Sequence, residues 1–204
     1  MKIELPNRIF RAHIYDLDGT LADSMPVHLE SFQEVFRKHG ASFEFTWELF
    51  HEVAGASHFE TVAYLNKKFG DQLDPHAIND EKQAAYVARL AEVQPIEAVI
   101  EHVHTARAKG LKQAVASGGP KAQVMETLNG LGIADLFDAI VGVDEVERGK
   151  PSPDLFLEAA HRIGVDPSEC LVFEDALNGI RAAETAGMAW VRVPDPRTGK
   201  FPEA

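Results

Sequence analysis

Residues 8–20 read RIFRAHIYDLDGT, an apolar run that ends in two carboxylates two positions apart, Asp16 and Asp18. The apolar part, residues 8–15, has the length and composition of a buried β-strand. Short runs of the same kind follow later in the chain, at residues 111–116, 139–143, 170–173 and 189–193. The sequence therefore predicts a sheet of five strands, the first of which ends in acidic residues.

Helical patterns separate the later strands. Ile96, Val99, Ile100 and Val103 keep helical spacing ahead of Gly110. Pro120 opens a second helix, Ser152-Pro153 opens a third, and a fourth is predicted from about 176 to 186. This alternation of strand and helix predicts the α/β class, with a doubly wound, Rossmann-like parallel sheet covered by helices on both faces.

The segment after the first strand breaks this alternation. Residues 26–93 contain no strand-like run and are predicted to form several helices joined by polar turns, one of them starting at Asp74-Pro75. We therefore predict a sheet domain over residues 1–25 and 94–204. An all-helical cap domain over residues 26–93 is inserted into it.

Composition narrows the classes of partner. The net charge of −12 disfavours binding to nucleic acid, which requires clustered Lys and Arg. No apolar stretch approaches the length of a membrane span, and the N-terminal residues do not have the pattern of a secretory signal. The single cysteine, Cys170, excludes an intrachain disulfide. We expect a cytoplasmic protein that binds neither nucleic acid nor membranes.

Ligands of doubly wound sheets bind beyond the carboxyl ends of the strands, so a binding site is expected at these ends. Four of them carry polar residues suited to phosphate chemistry: 16–20 (DLDGT), 117–120 (SGGP), 148–151 (RGKP) and 174–175 (ED). Because parallel strands end at the same edge of a sheet, we expect these segments to converge there.

The chemistry follows from the residue types. Closely packed carboxylates such as Asp16, Asp18 and Asp175 repel one another unless a divalent cation lies among them, and Mg²⁺ prefers oxygen ligands. Lys150 and the hydroxyl of Ser117 could then hold phosphate oxygens, with donors added by main-chain amides of the glycine-bearing turns. A carboxylate aimed at phosphorus can form an aspartyl-phosphate, and a second can act as acid and base.

With these motifs, the sequence resembles the haloacid dehalogenase superfamily of phosphohydrolases, in the beta-phosphoglucomutase-like group with a helical cap, over nearly the whole chain. The resemblance implies that Asp16 is the nucleophile and Asp18 the acid/base. It implies that Mg²⁺ is held by Asp16, the main-chain carbonyl of Asp18 and Asp175, with Glu174 close by or acting through water. The residues that it places around the phosphate are Gly19, Thr20, Ser117, Gly118 and Lys150.

The resemblance also implies substrate-binding residues in the cap. Sugar-phosphate members of the family place a glycine-containing loop and a lysine-containing helix over the active site. The matching positions here are the loop Gly55-Ala56-Ser57-His58 and Lys82 with Tyr86, and His28 matches a family position near the acid/base. Mutase members carry an arginine where this chain has His58 and a branched aliphatic residue where it has Thr20. Both differences favour hydrolysis over transfer to a second position of the sugar.

The sequence thus predicts a Mg²⁺-dependent phosphatase that hydrolyses a small phosphorylated metabolite, a sugar monophosphate, through an aspartyl-phosphate. We expect a monomer or a weak homo-oligomer. The alternatives are a beta-phosphoglucomutase-type mutase, a phospho-accepting receiver and a catalytically silent binding module. A receiver would need neither Asp18 as a base nor the helical insertion. Taken singly, Lys150 could be a surface lysine and Glu174-Asp175 a helix N-cap.

Overall fold

The computed structural model describes residues 3–53 and 57–201, and its centre is a five-stranded parallel sheet. In chain order the strands are β1 (Ala12–Tyr15), β2 (Ala22–Asp23), β3 (Gln94–Pro95), β4 (Lys112–Ala116), β5 (Ala139–Val141), β6 (Cys170–Glu174) and β7 (Ala189–Arg192). The large sheet has the strand order β5-β4-β1-β6-β7, and β2 and β3 form a separate antiparallel pair.

The described residues also contain eight α-helices. They are α1 (Met25–Lys38), α2 (Trp47–Glu52), α3 (His58–Phe69), α4 (Pro75–Ala88), α5 (Glu97–Ala108), α6 (Lys121–Gly130), α7 (Asp154–Ile163) and α8 (Leu177–Thr185). Helices alternate with the strands from α5 onward, whereas α1–α4 follow one another without a strand. The predicted doubly wound α/β fold with an inserted helical segment is confirmed.

The chain divides into two compact units. Among the described residues, one unit comprises 3–23 and 93–201 and holds the sheet with α5–α8, while the other comprises 24–92 and holds α1–α4. The chain leaves the sheet unit after β2 and returns to it at β3, and these two strands pair with each other. The role of the helical unit as a cap stays a prediction.

The register of β1 brings the acidic residues together. This strand is buried along its whole length and lies between β4 and β6, with Tyr15 opposite Val115 and Phe173. The amide of Asp16 donates to the Phe173 carbonyl at 3.0 Å, which extends the pairing by one residue. Asp16 therefore emerges from the sheet next to the last residue of β6, Glu174.

The apolar core of the sheet unit explains why these strands form where they do. Side chains of Ile14, Val172 and Phe156 are fully buried in one cluster, together with the small residues of α7 and α8. Burying a side chain of this size contributes about 1.5–3 kcal/mol to the stability of the fold. A sheet that is packed on both faces favours continuous apolar strands over alternating ones.

Three boundaries, the starts of β1, α6 and α7, differ from the sequence prediction. The first strand begins at Ala12 and not at residue 8, because the pairing with β4 and β6 starts only there; Ile9 is 93% exposed. Pro120 and Pro153 are N-cap residues, so α6 and α7 each begin one residue later. Ser152, predicted to begin the third helix, lies outside it.

The helical unit has well-defined helix starts. The side chain of Asp74 accepts a hydrogen bond from the amide of His76 at 2.9 Å, and Pro75 is the first residue of α4, as the sequence predicts. Phe32, Phe36 and Phe45 form a buried aromatic cluster between the helices of this unit. Within the described ranges of the chain, we find no helix with the length and apolarity that crossing a membrane demands.

Candidate active site

Three carboxylates meet at the carboxyl edge of the sheet. Asp16 follows β1, Glu174 is the last residue of β6, and Asp175 comes directly after it. Their exposed fractions are only 6%, 2% and 7%, and one oxygen from each lies within 4.8 Å of the others. Two of the predicted strand ends therefore converge, as expected from their parallel arrangement.

Lys150 lies among these acids. Its Nζ atom donates to Oδ1 of Asp16 at 2.5 Å and to Oε2 of Glu174 at 2.7 Å, and it also lies 4.9 Å from the centre of the Phe156 ring. The alternative of an ordinary surface lysine is wrong, because only 11% of this side chain is exposed. A third strand end thus reaches the cluster.

One lysine does not neutralise three buried carboxylates. Burial, followed by the charge of Glu174, raises the pKa of Asp16 to about 8, although Lys150 acts in the opposite direction. Burial and the charges of Glu174 and Asp16 also raise the pKa of Asp175 well above its ordinary value. For Lys150, burial lowers the pKa, but the charges of Asp16 and Glu174 outweigh it and raise the pKa overall.

The donor set fits a hard divalent cation. Three carboxylate oxygens lie close together in a buried position, and their negative charge exceeds that of Lys150. Oxygen donors of this kind are what Mg²⁺ prefers, and a cation among them would allow all three to be ionised. The predicted side-chain ligands Asp16, Glu174 and Asp175 are therefore brought together. The carboxylate of Asp18 is not part of this group.

The turn after Asp16 is shaped by Gly19. This residue has φ +82°, in the left-handed region that favours glycine, and its amide donates to the carbonyl of Ala22 at 2.8 Å. A Cβ atom at this position would lie 2.5 Å from Oδ2 of Asp175. The turn can therefore pack this closely against Asp175 only if residue 19 is glycine. Asp18, one residue earlier, is partly exposed.

Thr20 is fully buried, and its hydroxyl donates to Oδ1 of Asp175 at 3.4 Å. In this structure the side chain orients a candidate metal ligand. The predicted contact of Thr20 with phosphate stays a prediction. The N-cap interpretation of Asp175 is wrong: α8 has Ala176 at its N-cap, and the amide of Ala176 donates to Oε1 of Glu174 at 3.1 Å.

The fourth strand end carries Ser117, which is 1% exposed. Its hydroxyl oxygen accepts a hydrogen bond from the amide of Gly119 at 3.1 Å, so its proton can be donated to a ligand. Two hydrogen bonds join this turn to the loop after β5. The amide of Val143 donates to the Gly119 carbonyl, and Oδ1 of Asp144 accepts from the amide of Lys121 at 2.8 Å. Asp144 thus supplies the cap that Pro120 cannot.

The helical unit contains its own buried polar group. Nζ of Lys82 lies 2.8 Å from Nδ1 of His28, and the imidazole of His28 stacks on Tyr86 with ring centres 4.3 Å apart. Lys82 is fully buried, and its ammonium also lies over the rings of Phe32 and Tyr86. His28, Lys82 and Tyr86 are therefore brought together within this unit.

Ser57 and His58 take part in local structure. The Ser57 hydroxyl accepts from the amide of Glu60 at 3.2 Å and forms a capping box with it at the start of α3. Nδ1 of His58 lies 2.9 Å from Oδ1 of Asn79. Gly55 and Ala56, predicted to belong to a substrate loop, lie outside the described residues. The contacts of all these residues with substrate stay predictions.

Sequence reasoning missed two residues that support this edge. Asp144 caps α6 from a neighbouring loop, and Gly179 of α8 lies directly against Glu174. The sequence contained a signal for Gly179. A glycine inside a helix makes the helix less stable than alanine would by about 1 kcal/mol, so a packing reason is expected. No comparable signal identified Asp144, because its contact depends on the fold of two separate loops.

Comparison with known proteins gives matches over most of the chain. A family model described as haloacid dehalogenase-like hydrolase matches residues 13–193. The fructose-1-phosphate phosphatase YqaB of Escherichia coli is 36% identical over 193 residues, which cover 88% of this chain and 94% of the relative. A phosphorylated carbohydrates phosphatase of Thermotoga maritima is 30% identical over 181 residues, covering 87% of this chain and 82% of the relative.

The structure is also similar to that of a beta-phosphoglucomutase from Clostridium difficile. The two have a TM-score of 0.76 and 26% sequence identity, over 89% of this chain and 83% of the other. The family model spans the sheet unit and the inserted helices together. The chain therefore belongs to the haloacid dehalogenase-like hydrolases, in their beta-phosphoglucomutase-like group.

Proposed function

We propose that the chain hydrolyses a small sugar monophosphate in a Mg²⁺-dependent reaction, through an aspartyl-phosphate formed on Asp16. The family match and the two phosphatase relatives make the chain a phosphatase of this family. The metal, the nucleophile and the substrate class are the proposal. The observation that carries it is the buried cluster of Asp16, Glu174 and Asp175 around Lys150.

Asp16, Glu174 and Asp175 would hold the metal ion, with the main-chain carbonyl of Asp18 as a further ligand. When bound there, Mg²⁺ would offset the charge of the carboxylates and polarise the phosphate oxygens. This accounts for a buried group of acids that a single lysine leaves partly unneutralised. It also accounts for how an anionic substrate could approach an anionic site.

In the first half of the reaction, a carboxylate oxygen of Asp16 attacks the phosphorus atom. The bond between phosphorus and the sugar oxygen breaks as the new bond to Asp16 forms, and Asp18 donates a proton to the leaving oxygen. Lys150 and the hydroxyl of Ser117 hold the phosphate oxygens during this transfer. Main-chain amides and side chains of the two turns would add further contacts, from Gly19, Thr20 and Gly118.

In the second half, Asp18 is a carboxylate and removes a proton from water. The resulting oxygen attacks phosphorus, and the bond between phosphorus and Asp16 breaks. Inorganic phosphate leaves, and both aspartates return to their starting protonation states. The partial exposure of Asp18 supports this role, because a group that exchanges protons with substrate and water has to be reachable by both.

The substrate class is proposed from two observations. One relative is named as a fructose-1-phosphate phosphatase and another as a phosphatase of phosphorylated carbohydrates. The helical unit contains polar residues at the positions that the sequence analysis assigned to substrate: His28, Ser57, His58 and Lys82. We propose that these residues contribute to the choice of sugar.

A phosphosugar mutase is the second candidate, since the chain is similar to a beta-phosphoglucomutase over most of its length. Histidine at position 58 supports the hydrolase, because mutase members carry an arginine there for a second phosphate. We also propose a cytoplasmic monomer or weak homo-oligomer without nucleic-acid or membrane partners, in line with the net charge of −12.

The test measures the release of inorganic phosphate from a set of phosphorylated metabolites. The set contains sugar monophosphates and non-sugar phosphates of equal charge, each assayed with Mg²⁺ or with EDTA. We expect release of inorganic phosphate from sugar monophosphates only with Mg²⁺. Sugar substrates labelled in the phosphate separate the two candidates, because a mutase would leave the label on another carbon of the sugar. Turnover that persists in EDTA would contradict the metal assignment, and transfer of the label within the sugar would contradict hydrolysis.

A further inference from the structure

Helix α8 contains a glycine, Gly179, at a position where nothing in its backbone requires one. The residue lies in helical conformation near the start of the helix and is buried. Alanine is more stable than glycine in a helix, because glycine loses more backbone freedom on folding. A buried helical glycine of this kind needs a reason in its surroundings.

The reason is Glu174. A Cβ atom built on Gly179 would overlap the carboxylate carbon and Oε2 of Glu174, and it would lie 2.5 Å from Cγ. The side chain of Glu174 therefore occupies the space that the missing methyl group leaves free. This acid is 2% exposed and lies against the backbone of α8.

Glu174 cannot move aside without losing contacts. Its Oε2 atom accepts from Nζ of Lys150 at 2.7 Å, and its Oε1 atom accepts from the amide of Ala176 at 3.1 Å. The overlapping atom, Oε2, is the one that binds Lys150. A methyl group at position 179 would thus displace the end of the acid that faces Lys150 and, through it, Asp16.

We propose that Gly179 is a positioning residue: its missing side chain directs the Glu174 carboxylate toward Lys150 and the metal-binding group. This inference rests on the proposed function in taking Glu174 as part of that group. Gly19 has a similar relation to Asp175, but its left-handed backbone would strain any other residue. Gly179 is the cleaner position to test, because its helical backbone accepts alanine.

The experiment compares Mg²⁺ binding to the full chain, by titration calorimetry without substrate, with phosphatase activity. In Gly179→Ala we expect the fold to be kept, with Mg²⁺ affinity and kcat/KM each lowered by about 10- to 100-fold. The matched control is Gly130→Ala in α6, where a Cβ atom meets nothing within 4 Å. Both values should stay within about twofold of wild type in this control.

A double-mutant cycle separates a displaced acid from a damaged fold. In a Glu174→Ala background the space beside position 179 is already empty, so Gly179→Ala should lower Mg²⁺ affinity no further. The thermal unfolding midpoint should then rise, because alanine favours the helix. The inference is overturned if Gly179→Ala binds Mg²⁺ like the wild type, or if its loss of affinity is just as large in the Glu174→Ala background.

A second readout needs no metal. The NMR signal of the Lys150 ammonium in metal-free protein should move in Gly179→Ala and stay unchanged in Gly130→Ala, because only the first displaces its partner Glu174. An unchanged Lys150 signal in Gly179→Ala overturns the inference. If wild-type protein binds no Mg²⁺ and works in EDTA, the proposed function fails, while the Lys150 signal still decides the role of Gly179.

Discussion

Strand β1 carries two buried polar groups that differ in charge. Toward its start, Nδ1 of His13 lies 3.2 Å from the hydroxyl of Tyr15, which donates to Oε1 of Gln113 at 3.0 Å. Just beyond its end, Asp16 lies with Glu174 and the other acids around Lys150. We call the first set the neutral network and the second the acidic cluster.

The neutral network is adapted to burial. Burial, then the nearby charges of His102 and Lys109, lowers the pKa of His13 to about 4, and burial raises the pKa of Tyr15 above its ordinary value. Both groups are therefore uncharged at neutral pH. Hydrogen bonds link them to Gln113, whose amide nitrogen donates in turn to the Leu136 carbonyl at 3.3 Å. Such a network stabilises a core.

The acidic cluster has the opposite character. The pKa of Asp16 is about 8, so ionisation of this acid at neutral pH is unfavourable in the metal-free fold. Groups with strongly shifted pKa values collect at functional sites, where charge is kept for chemistry at the expense of stability. The polar residues within β1 therefore stabilise the fold, whereas we propose that the acids beyond β1 take part in the reaction.

The largest expected effect is on turnover. Asp16→Asn should lower kcat by at least about 10³-fold, because the amide cannot attack phosphorus. The unfolding temperature of the metal-free protein should not fall, since a neutral amide replaces an acid whose ionisation is unfavourable there. Steady-state kinetics and calorimetry measure the two effects. The exposed acid Asp135 provides the control: Asp135→Asn should leave both values unchanged. Near-normal rates in Asp16→Asn would show that another group is the nucleophile.

The second prediction concerns Mg²⁺ and pH. The folded-state pKa of Asp16 is raised, so the fold binds a proton that the unfolded chain releases, and the contribution of Asp16 to metal-free stability declines as pH rises from about 4 to 8. At about 100 times its Kd, Mg²⁺ should stabilise the protein by about 2.7 kcal/mol at pH 8. The unfolding midpoint should rise by about 5–10 °C.

At pH 6 the same Mg²⁺ concentration should raise the midpoint by less, since the ion then competes with protons. Thermal unfolding in paired samples, with NaCl at matched ionic strength as the control, measures this. An equal shift at both pH values would mean that the acids do not bind the ion in their ionised form.

The third prediction tests the neutral network. Tyr15→Phe leaves Gln113 and His13 without their shared partner, so the free energy of unfolding should decrease by about 1–3 kcal/mol. The kcat value should stay close to that of the wild type. Tyr64→Phe is the control at a tyrosine on the surface, 39% exposed, and should change stability by less than about 0.5 kcal/mol. A large loss of kcat in Tyr15→Phe would remove the distinction between the two groups.

The smallest effect is a loss of stability in acid. The pKa of His13 is lowered in the fold, so the contribution of this group to stability is fully present above about pH 6.5 and is lost as pH falls toward 4, because the unfolded chain binds the proton first. We expect a loss of about 1–2 kcal/mol from this group by about pH 5. Denaturant titrations of His13→Gln should show a flatter decline over this range. The exposed His104→Gln should decline like the wild type, and an unchanged decline in His13→Gln would contradict the assignment.

The sequence was sufficient for the fold class and for the strand ends that carry Asp16, Ser117, Lys150 and Glu174. Both rest on local patterns: apolar runs of strand length, and polar residues at the point where each run stops. These patterns predict that the strand ends share one edge, because the strands are parallel. They do not predict which atoms bind to which.

The remaining contacts depend on register between distant segments. The pairing of Tyr15 with Gln113 and the overlap of Gly179 with Glu174 require the sheet and α8 to be placed first. The contact of Lys82 with His28 likewise joins α4 to α1. Polar residues inside the first strand are a signal for such contacts, since His13 and Tyr15 in a buried strand need partners.

The most direct test looks for the phosphate on the protein. Asp18→Ala lacks the proposed base, so an aspartyl-phosphate should persist. The substrate is p-nitrophenyl phosphate, because its leaving group needs no proton. The variant reacts with it for one turnover in Mg²⁺, and the reaction is then stopped with acid. Proteolysis and mass spectrometry locate the phosphoryl group. We predict one phosphoryl group on Asp16, absent from the Asp16→Asn/Asp18→Ala double variant. A burst of nitrophenol with an unmodified Asp16, or a phosphoryl group on another residue, would contradict the mechanism.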